Sequence, residues 1–382
     1  MARELLLVGG GHSHVEVLRR FALDPAPDVR LTLISRDRFT PYSGMLPGYL
    51  AGHYDFGDVH IDLAPLAEAA GARFLRDSVD GLDLAAQRVI PHDHSPLTYD
   101  RLSLNIGAAP RLAAVPGAAD HATPLKPIDG LNARWLALLE RLQHDPVSKT
   151  IMVVGGGASG VEVLLAMQQR LQRLCRERGL AESLLRFCLV TRGPRLLANH
   201  NPRVQRRFAR LLTRRGVALH SEAEVVSVGA GRVHTADGRT LAFDELLWAT
   251  QAGAAPWLAD TGLALDGAGF IRVDDHLASV SHPHVFAAGD TASMVNYRRD
   301  KAGVHAVRQG PALAGNLRAS LHDRPLTRYR PQRRHLALIS TGDRYAVASR
   351  GPWSWSGNWV WRWKDRIDRR FMARYRPPLP TP

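Results

Sequence analysis

Only two cysteines, Cys175 and Cys188, occur in 382 residues, and they do not form a Cys-x-x-Cys. A redox disulfide of that type is therefore excluded, and so sparse a pair fits a reducing, cytosolic compartment. No run of 18 apolar residues exists, so no transmembrane helix is expected. The chain enters an apolar strand within three residues of Met1, which leaves no room for a signal peptide. Acids are scarce against bases, 36 to 50, a net charge of +14 that needs an explanation. His12-x-His14 could suggest a metal, but no cysteine or acid gathers around it, so no metal site is expected.

What the chain does contain is one device twice. Leu5-Leu6-Leu7-Val8 runs into Gly9-Gly10-Gly11, and Ile151-Met152-Val153-Val154 runs into Gly155-Gly156-Gly157-Ala158-Ser159-Gly160. Each is an apolar run that stops at glycines and resumes at helical spacing. Gly107-Ala108-Ala109-Pro110 follows the first unit and Gly253-Ala254-Ala255-Pro256 the second, each 101 positions from the first glycine to the proline. In such a turn the first glycine permits the bend, the second lets backbone approach a pyrophosphate, and the third lets helix pack on strand. The phosphate charge then sits on a helix N-terminus. Gly155, Gly157 and Gly160 fill all three positions. Gly9 and Gly11 fill two, and His14 stands at the third.

The order strand, glycine turn, helix, strand recurs in both units, with buried-type apolar strands. This predicts an α/β protein with two Rossmann-like dinucleotide-binding domains built on parallel sheets. The predicted elements are a helix to about Phe21, strands Val29–Ile34 and Leu102–Ile106, and short strands over 72–98. In the second unit they are a helix from Gly160 to about Arg178, then strands Leu185–Val190 and Glu245–Ala249. A third junction, Val285-Phe286-Ala287-Ala288-Gly289-Asp290, precedes a helix from Ala302 to about Leu321. The acid that usually holds the ribose at the end of the second strand is missing from both units. Ser35-Arg36-Asp37 stands there in the first and Thr191-Arg192 in the second. An arginine in that place suits a 2′-phosphate, so Arg192 favours NADPH or a lack of strict preference.

Both loops, both Gly-Ala-Ala-Pro segments and the Val285–Asp290 junction resemble the pyridine nucleotide-disulfide oxidoreductase superfamily over nearly the whole chain. The resemblance implies FAD on the first loop, NAD(P)H on the second, and Asp290 on the ribityl chain of the flavin. It implies that Lys301–Gly310 begins the helix facing the flavin ring. The lack of catalytic cysteines points away from disulfide and sulfide:quinone reductases and toward the type II NADH dehydrogenase branch, in which FAD reduces a quinone. Gly155 to Glu162 is similar to that branch's nicotinamide motif. Gly9–His14 with Thr40-Pro41-Tyr42-Ser43-Gly44-Met45-Leu46-Pro47-Gly48 looks like the flavoprotein fused to selenide, water dikinase and like demethylphylloquinone reductases.

Three residues are then expected at the chemistry: Glu162 in the first helical turn, Gln309 on the acceptor side of the flavin, and Lys126 before Pro127. Cofactor contacts are expected from Gly9, Gly11, His12, Ser13, His14, Ser35, Arg36, Pro47 and Gly107 for FAD, with Gly289 and Asp290. For NAD(P)H they are expected from Gly155, Gly157, Ser159, Gly160, Arg192 and Gly253. The expected FAD domain is 1–120 with 265–325, and 121–264 is the inserted NAD(P)H domain. The C-terminal extension is 326–382.

That extension holds most of the charge. From Arg324 to Arg376 there are 14 Lys plus Arg against 3 Asp, and five of the eight tryptophans. Trp359, Trp363, Ile367, Phe371 and Tyr375 recur every four residues, with Arg362, Arg366, Arg369, Arg370 and Arg374 mostly off that line. A basic amphipathic helix with interfacial aromatics reads as lying on a membrane surface. The alternatives are packing on the protein or on a partner in a homodimer; nucleic acid is not expected, since no recognition motif accompanies the charge. Together these features predict a peripheral enzyme on the cytoplasmic side of the inner membrane that passes electrons from NAD(P)H through FAD to a quinone. The alternatives are a soluble acceptor, one linked to selenium metabolism among them, or a slow flavin-bound scaffold.

Overall fold

A computed structural model describes residues 2–144, 147–250 and 252–379. Its centre is two five-stranded parallel sheets. The first runs, in spatial order, Val285–Ala287, Arg101–Leu104, Arg3–Val8, Val29–Ile34, Arg73–Leu75. The second runs Thr123–Pro124, Glu245–Trp248, Lys149–Val154, Leu185–Val190, Val217–His220. Leu5, Leu6, Leu7 and Val8 are all buried, as are Ile151, Met152, Val153 and Val154. Consecutive burial means that both faces of each sheet are covered, which is why these strands read as unbroken apolar runs rather than alternating ones.

The repeat extends to small irregularities. Each unit carries a three-stranded antiparallel sheet, Val79–Asp83, Arg88–Pro91, Leu97–Thr98 in the first and Val225–Gly229, Arg232–Thr235, Thr240–Ala242 in the second. The ladder slips at Val79/Gly81 in one and at Val225/Ser227 in the other, the same place 146 residues apart. The two Gly-Ala-Ala-Pro segments meet: Ala109 pairs with Gly253 and Pro110 with Ala252, antiparallel. They form the strand crossing between the two units.

Helix His12–Leu23 follows the first glycine turn and Ala158–Glu177 the second. Gly303–Leu321 packs along His12–Leu23, so the third junction returns to the first unit. The strand expected to reach Ile106 ends at Leu104. Asn105 ends it, because its side chain turns to hold the glycine loop (below). Helix Ile128–His144 was not anticipated. Nor was the antiparallel sheet Ala337–Ser340, Ala346–Arg350, Trp353–Gly357 ahead of the tail helix Asn358–Ala373. Its turns, Thr341-Gly342-Asp343 and Arg350-Gly351-Pro352, lie in a stretch whose charge dominates its pattern.

The tail helix departs from its expected orientation. Trp359, Trp363 and Ile367 are exposed, but Phe371 and Tyr375, expected on the same outer stripe, are buried with the first unit's core. The inner face is Val360, Lys364, Asp368, Phe371 and Met372. Two charged residues lie inside it because they satisfy each other, and that pairing is invisible to a stripe drawn from aromatics alone. Among the described residues no helix is long and apolar enough to cross a membrane.

Candidate functional site

The first glycine loop is stitched from several sides. Gly9 donates to the Ile34 carbonyl at 2.8 Å and Gly11 to the Asn105 carbonyl at 3.2 Å. Asn105 Oδ1 accepts from the Ser13 N–H at 3.1 Å, and its Nδ2 donates to the Ala288 carbonyl at 2.7 Å. Ser13 Oγ donates to the Ala306 carbonyl at 2.7 Å. Gln309 Oε1 accepts from the Gly289 N–H at 2.6 Å. Thr291 Oγ1 donates to the Gly107 carbonyl at 3.1 Å. Gly9, Gly11, Ser13, Gly107, Gly289 and Gln309 are thus brought to one place from three separate stretches of chain.

Two expectations change here. His14 does not reach outward to a phosphate: it is fully buried, with Nδ1 2.7 Å from the Gly9 carbonyl and Nε2 2.8 Å from Ser103 Oγ. Burial lowers its pKa to about 4, so it is neutral and serves as a post beneath the loop. Gln309 is no solvated helix residue: it is buried, its carbonyl oxygen accepts from Gly289, and it lines the cavity beside Asp290.

His12 does face the site. Its Nε2 is buried without a hydrogen-bond partner, and burial, then the Lys126 charge, lower its pKa to about 4. Lys126 Nζ lies 2.9 Å from Asp290 Oδ2, so two expected site residues form an ion pair. A cavity of about 600 Å³ opens beside Gly289 and Asp290, lined also by Phe270, Lys301, His305 and Gln309. Burial brings Lys301 down to about 8, and its ammonium sits 3.6 Å above the Phe270 ring.

Other expected residues stand apart. Ser35 is buried and donates to the Asp37 carbonyl at 2.9 Å, while Arg36 pairs with Asp37 at 2.7 Å. Pro47 is buried in the short helix Leu46–Leu50, whose two leucines pack in the second unit's core. Gly253 packs on Arg111.

The second loop is barer. Gly155 donates to the Val190 carbonyl at 2.8 Å, and a Cβ there would press on the Ala249 carbonyl. A Cβ on Gly160 would lie 2.1 Å from the Gly155 carbonyl, so this position admits no side chain, as the fingerprint requires. Gly157 and Ser159 are exposed, and a Cβ on Gly157 would meet nothing within 4 Å. Arg192, 70% exposed, has only Glu224 as an ion-pair partner among the described residues, at 3.7 Å. An open loop on a helix N-terminus beside a loosely held guanidinium fits a phosphorylated nucleotide. The buried, unpartnered Nε2 of His12 and the open space at Gly107 likewise fit a ligand on the first loop.

Glu162 joins the two units through the tail. It accepts from the Ser340 N–H at 2.7 Å, and burial pushes its carboxyl up to about 7 against the opposing pull of Lys364. Lys364, buried, donates to the Gly44 carbonyl and to Asp368. Tyr42 donates to Asp368, stacks on Phe371 at 4.3 Å, and meets His12 edge-on at 5.6 Å. Lys364, Asp368 and Tyr42 are therefore bonded in series up to the wall of the first loop, and Glu162 feels the Lys364 charge without a bond to it. Lys364 and Asp368 were missed in the sequence because they read as ordinary surface charges. Their i, i+4 spacing opposite the exposed tryptophans was the available signal.

The comparisons with known proteins agree with this geometry. The chain is 25% identical over 297 residues to the NADH dehydrogenase-like protein YutJ of Bacillus subtilis, covering 76% of this chain and 77% of the relative. It is 26% identical over 330 residues to the demethylphylloquinone reductase NdbB of a Synechocystis species, covering 80% and 76%. The structure of NDH2 from Plasmodium falciparum in complex with NADH superposes with a TM-score of 0.81 at 14% identity, covering 100% of both chains, which establishes the fold. The family model described as pyridine nucleotide-disulphide oxidoreductase matches residues 3–312, and with both loops, the Asp290 junction and their strand crossing in place, this chain belongs to that family.

Proposed function

We propose that this flavoenzyme takes electrons from NAD(P)H at the Gly155 loop and delivers them, through FAD on the Gly9 loop, to a quinone drawn from a membrane. The observation that carries the reading is the pair of matching loops in one chain, 146 residues apart and each at the start of a helix. FAD, when bound, supplies the two-electron chemistry. The FAD domain is 1–120 with 265–325 and the nucleotide domain 121–264.

This chain's own residues orient, neutralise and carry protons. Gly9 and Gly11 would let the backbone come close to one pyrophosphate at the N-terminus of His12–Leu23, and Gly155, Gly157 and Ser159 to the other at the N-terminus of Ala158–Glu177. Asp290, held by Lys126, receives the ribityl hydroxyls. Arg192 meets a 2′-phosphate and tilts the choice to NADPH. Reducing a quinone to a quinol consumes two protons. Glu162, titrating near neutrality under the pull of the Lys364 charge, can hold one at working pH. Exposed Trp353, Trp359 and Trp363, with the tail arginines, set the enzyme on the cytoplasmic face of the inner membrane, where quinones reside.

The test is anaerobic. The yellow holoprotein is reduced with NADH or with NADPH, then given a soluble quinone analogue. Bleaching of the flavin band followed by prompt recovery is expected, faster with NADPH. Bleaching without recovery would replace the quinone by a soluble acceptor, and no bleaching with either nucleotide would overturn the reading.

A further inference from the structure

Helix Pro202–Arg214 breaks two local rules at once. Arg203 stands in its first turn, where no acid is present and the helix dipole disfavours positive charge. Arg203, Arg206, Arg207, Arg210 and Arg214 repeat at three- and four-residue spacing, opposite buried Val204, Phe208 and Leu212. Like charges at that spacing repel. From Ser183 to Ser221 the sequence has nine arginines and no Asp or Glu. The tail helix, by contrast, pairs Arg369 with Asp365 and Lys364 with Asp368. Arg203, Arg206, Arg210 and Arg214 are exposed, and among the described residues their side chains make no ion pair. A local rule broken without an internal gain points outward, to a partner that supplies the missing negative charge.

The same helix is fastened to the sheet that bears the exposed tryptophans. Asn201 Nδ2 donates to the carbonyls of Gly351 at 3.0 Å and Trp353 at 3.3 Å. Arg207 donates to Ser356 and, at 3.1 Å, to Tyr345 Oη. Arg215 donates to the Thr341 carbonyl and to Asp343, both at 2.6 Å. Trp353 and Trp355 lie on that edge strand, 64% and 47% exposed, with parallel rings 6.5 Å apart. Aromatic side chains for the interface and unneutralised guanidiniums for phosphate thus sit on elements bonded directly to each other.

We infer that the arginine stripe of Pro202–Arg214 is a second half of the docking surface and takes the phosphate headgroups of anionic phospholipids. The nucleotide-binding unit is then held to the bilayer by its own residues as well as by the tail. This rests on the membrane reading above. The test is co-sedimentation of the FAD-loaded protein with phosphatidylcholine vesicles, with and without phosphatidylglycerol. The variant Arg203→Gln/Arg206→Gln/Arg210→Gln should bind anionic vesicles about a hundredfold more weakly, at about fivefold per basic residue. Its flavin spectrum and its bleaching by NAD(P)H should be unchanged, and its deficit should vanish at high salt. A second variant, Trp353→Ser/Trp359→Ser, should weaken binding to both kinds of vesicle. If the triple variant binds anionic vesicles like the parent while the tryptophan variant does not, the stripe is not at the surface and the inference fails alone. If the parent binds no vesicle, the membrane reading fails with it. If the parent prefers duplex DNA to anionic vesicles at equal salt, the partner is a nucleic acid and the inference is overturned.

Discussion

Under the first glycine loop, a neutral imidazole spans the Gly9 carbonyl and Ser103; under the second, Gly160 brings only hydrogen toward the Gly155 carbonyl. The first loop is also tied by Asn105 and by Ser13 to the third junction and its helix. At the place of Asn105 the second unit has Ala249, whose N–H bonds the preceding strand as that of Asn105 does, but whose methyl can make no hydrogen bond. The helices that follow begin alike, Val15-Glu16-Val17-Leu18 and Val161-Glu162-Val163-Leu164. Their acids also part ways. Glu16 is matched by Arg20 and the Tyr375 hydroxyl, whereas Glu162 has one backbone N–H and a carboxyl raised to about 7. One unit is bolted around its ligand and the other is left open, which suits a resident cofactor beside one that exchanges each turnover.

The comparison breaks most sharply at the middle glycines. Gly11→Ala would drive a Cβ to 2.1 Å from Asn105 Oδ1, so it should abolish flavin retention, read as loss of visible absorbance on gel filtration. His14→Gly should make the first loop resemble the second at a cost of about 2–4 kcal/mol, from two unpaired buried groups and the space left behind. The native histidine also leaves a pH signature. Its proton is bound less well in the fold (pKa about 4) than in the unfolded chain, so stability is full above pH 6.5 and falls as pH drops toward 4. The loss is about 3 kcal/mol, and acid melts of His14→Gly should lack that share of the decline. Glu162→Gln should lower quinone turnover by about 10–100-fold and erase an inflection near pH 7 in the rate profile. The sign for stability is opposite to that of His14: a carboxyl raised to about 7 favours the fold less as pH rises from 4.5 through 7. Arg192→Ala should raise the KM for NADPH about tenfold and leave that for NADH alone. Gly157→Ala, whose Cβ meets open space, should shift stability by less than about 0.5 kcal/mol while weakening nucleotide binding. Equal damage from Gly11→Ala and Gly157→Ala would remove the distinction between bolted and open loops.

The repeat, the parallel sheets and most of the first-loop cluster were legible because they are local. A glycine that must bend, and an apolar run covered on both faces, leave marks in consecutive residues. What stayed hidden depends on residues far apart in sequence. Asn105 looks like the end of a strand until Ser13 and Ala288 come to it from either side. Lys364 and Asp368 look like surface charges until Gly44 and Tyr42 cover them. Phe371 and Tyr375 keep a perfect four-residue rhythm with exposed Trp363, yet the tail dips into the first unit before reaching them. The arginine stripe was masked by arithmetic, since the tail alone accounts for nearly all the net charge.

The crossing of Ala109-Pro110 with Ala252-Gly253 has a meaning for symmetry. A segment that pairs antiparallel with its own repeat does what two identical subunits do across a two-fold axis, where each presents the same patch to the other. In this chain the two patches are covalently linked, one beside the loop tied from several sides and one beside the open loop. Either half alone would carry, in its own two residues of that crossing, the edge along which to pair with a second copy.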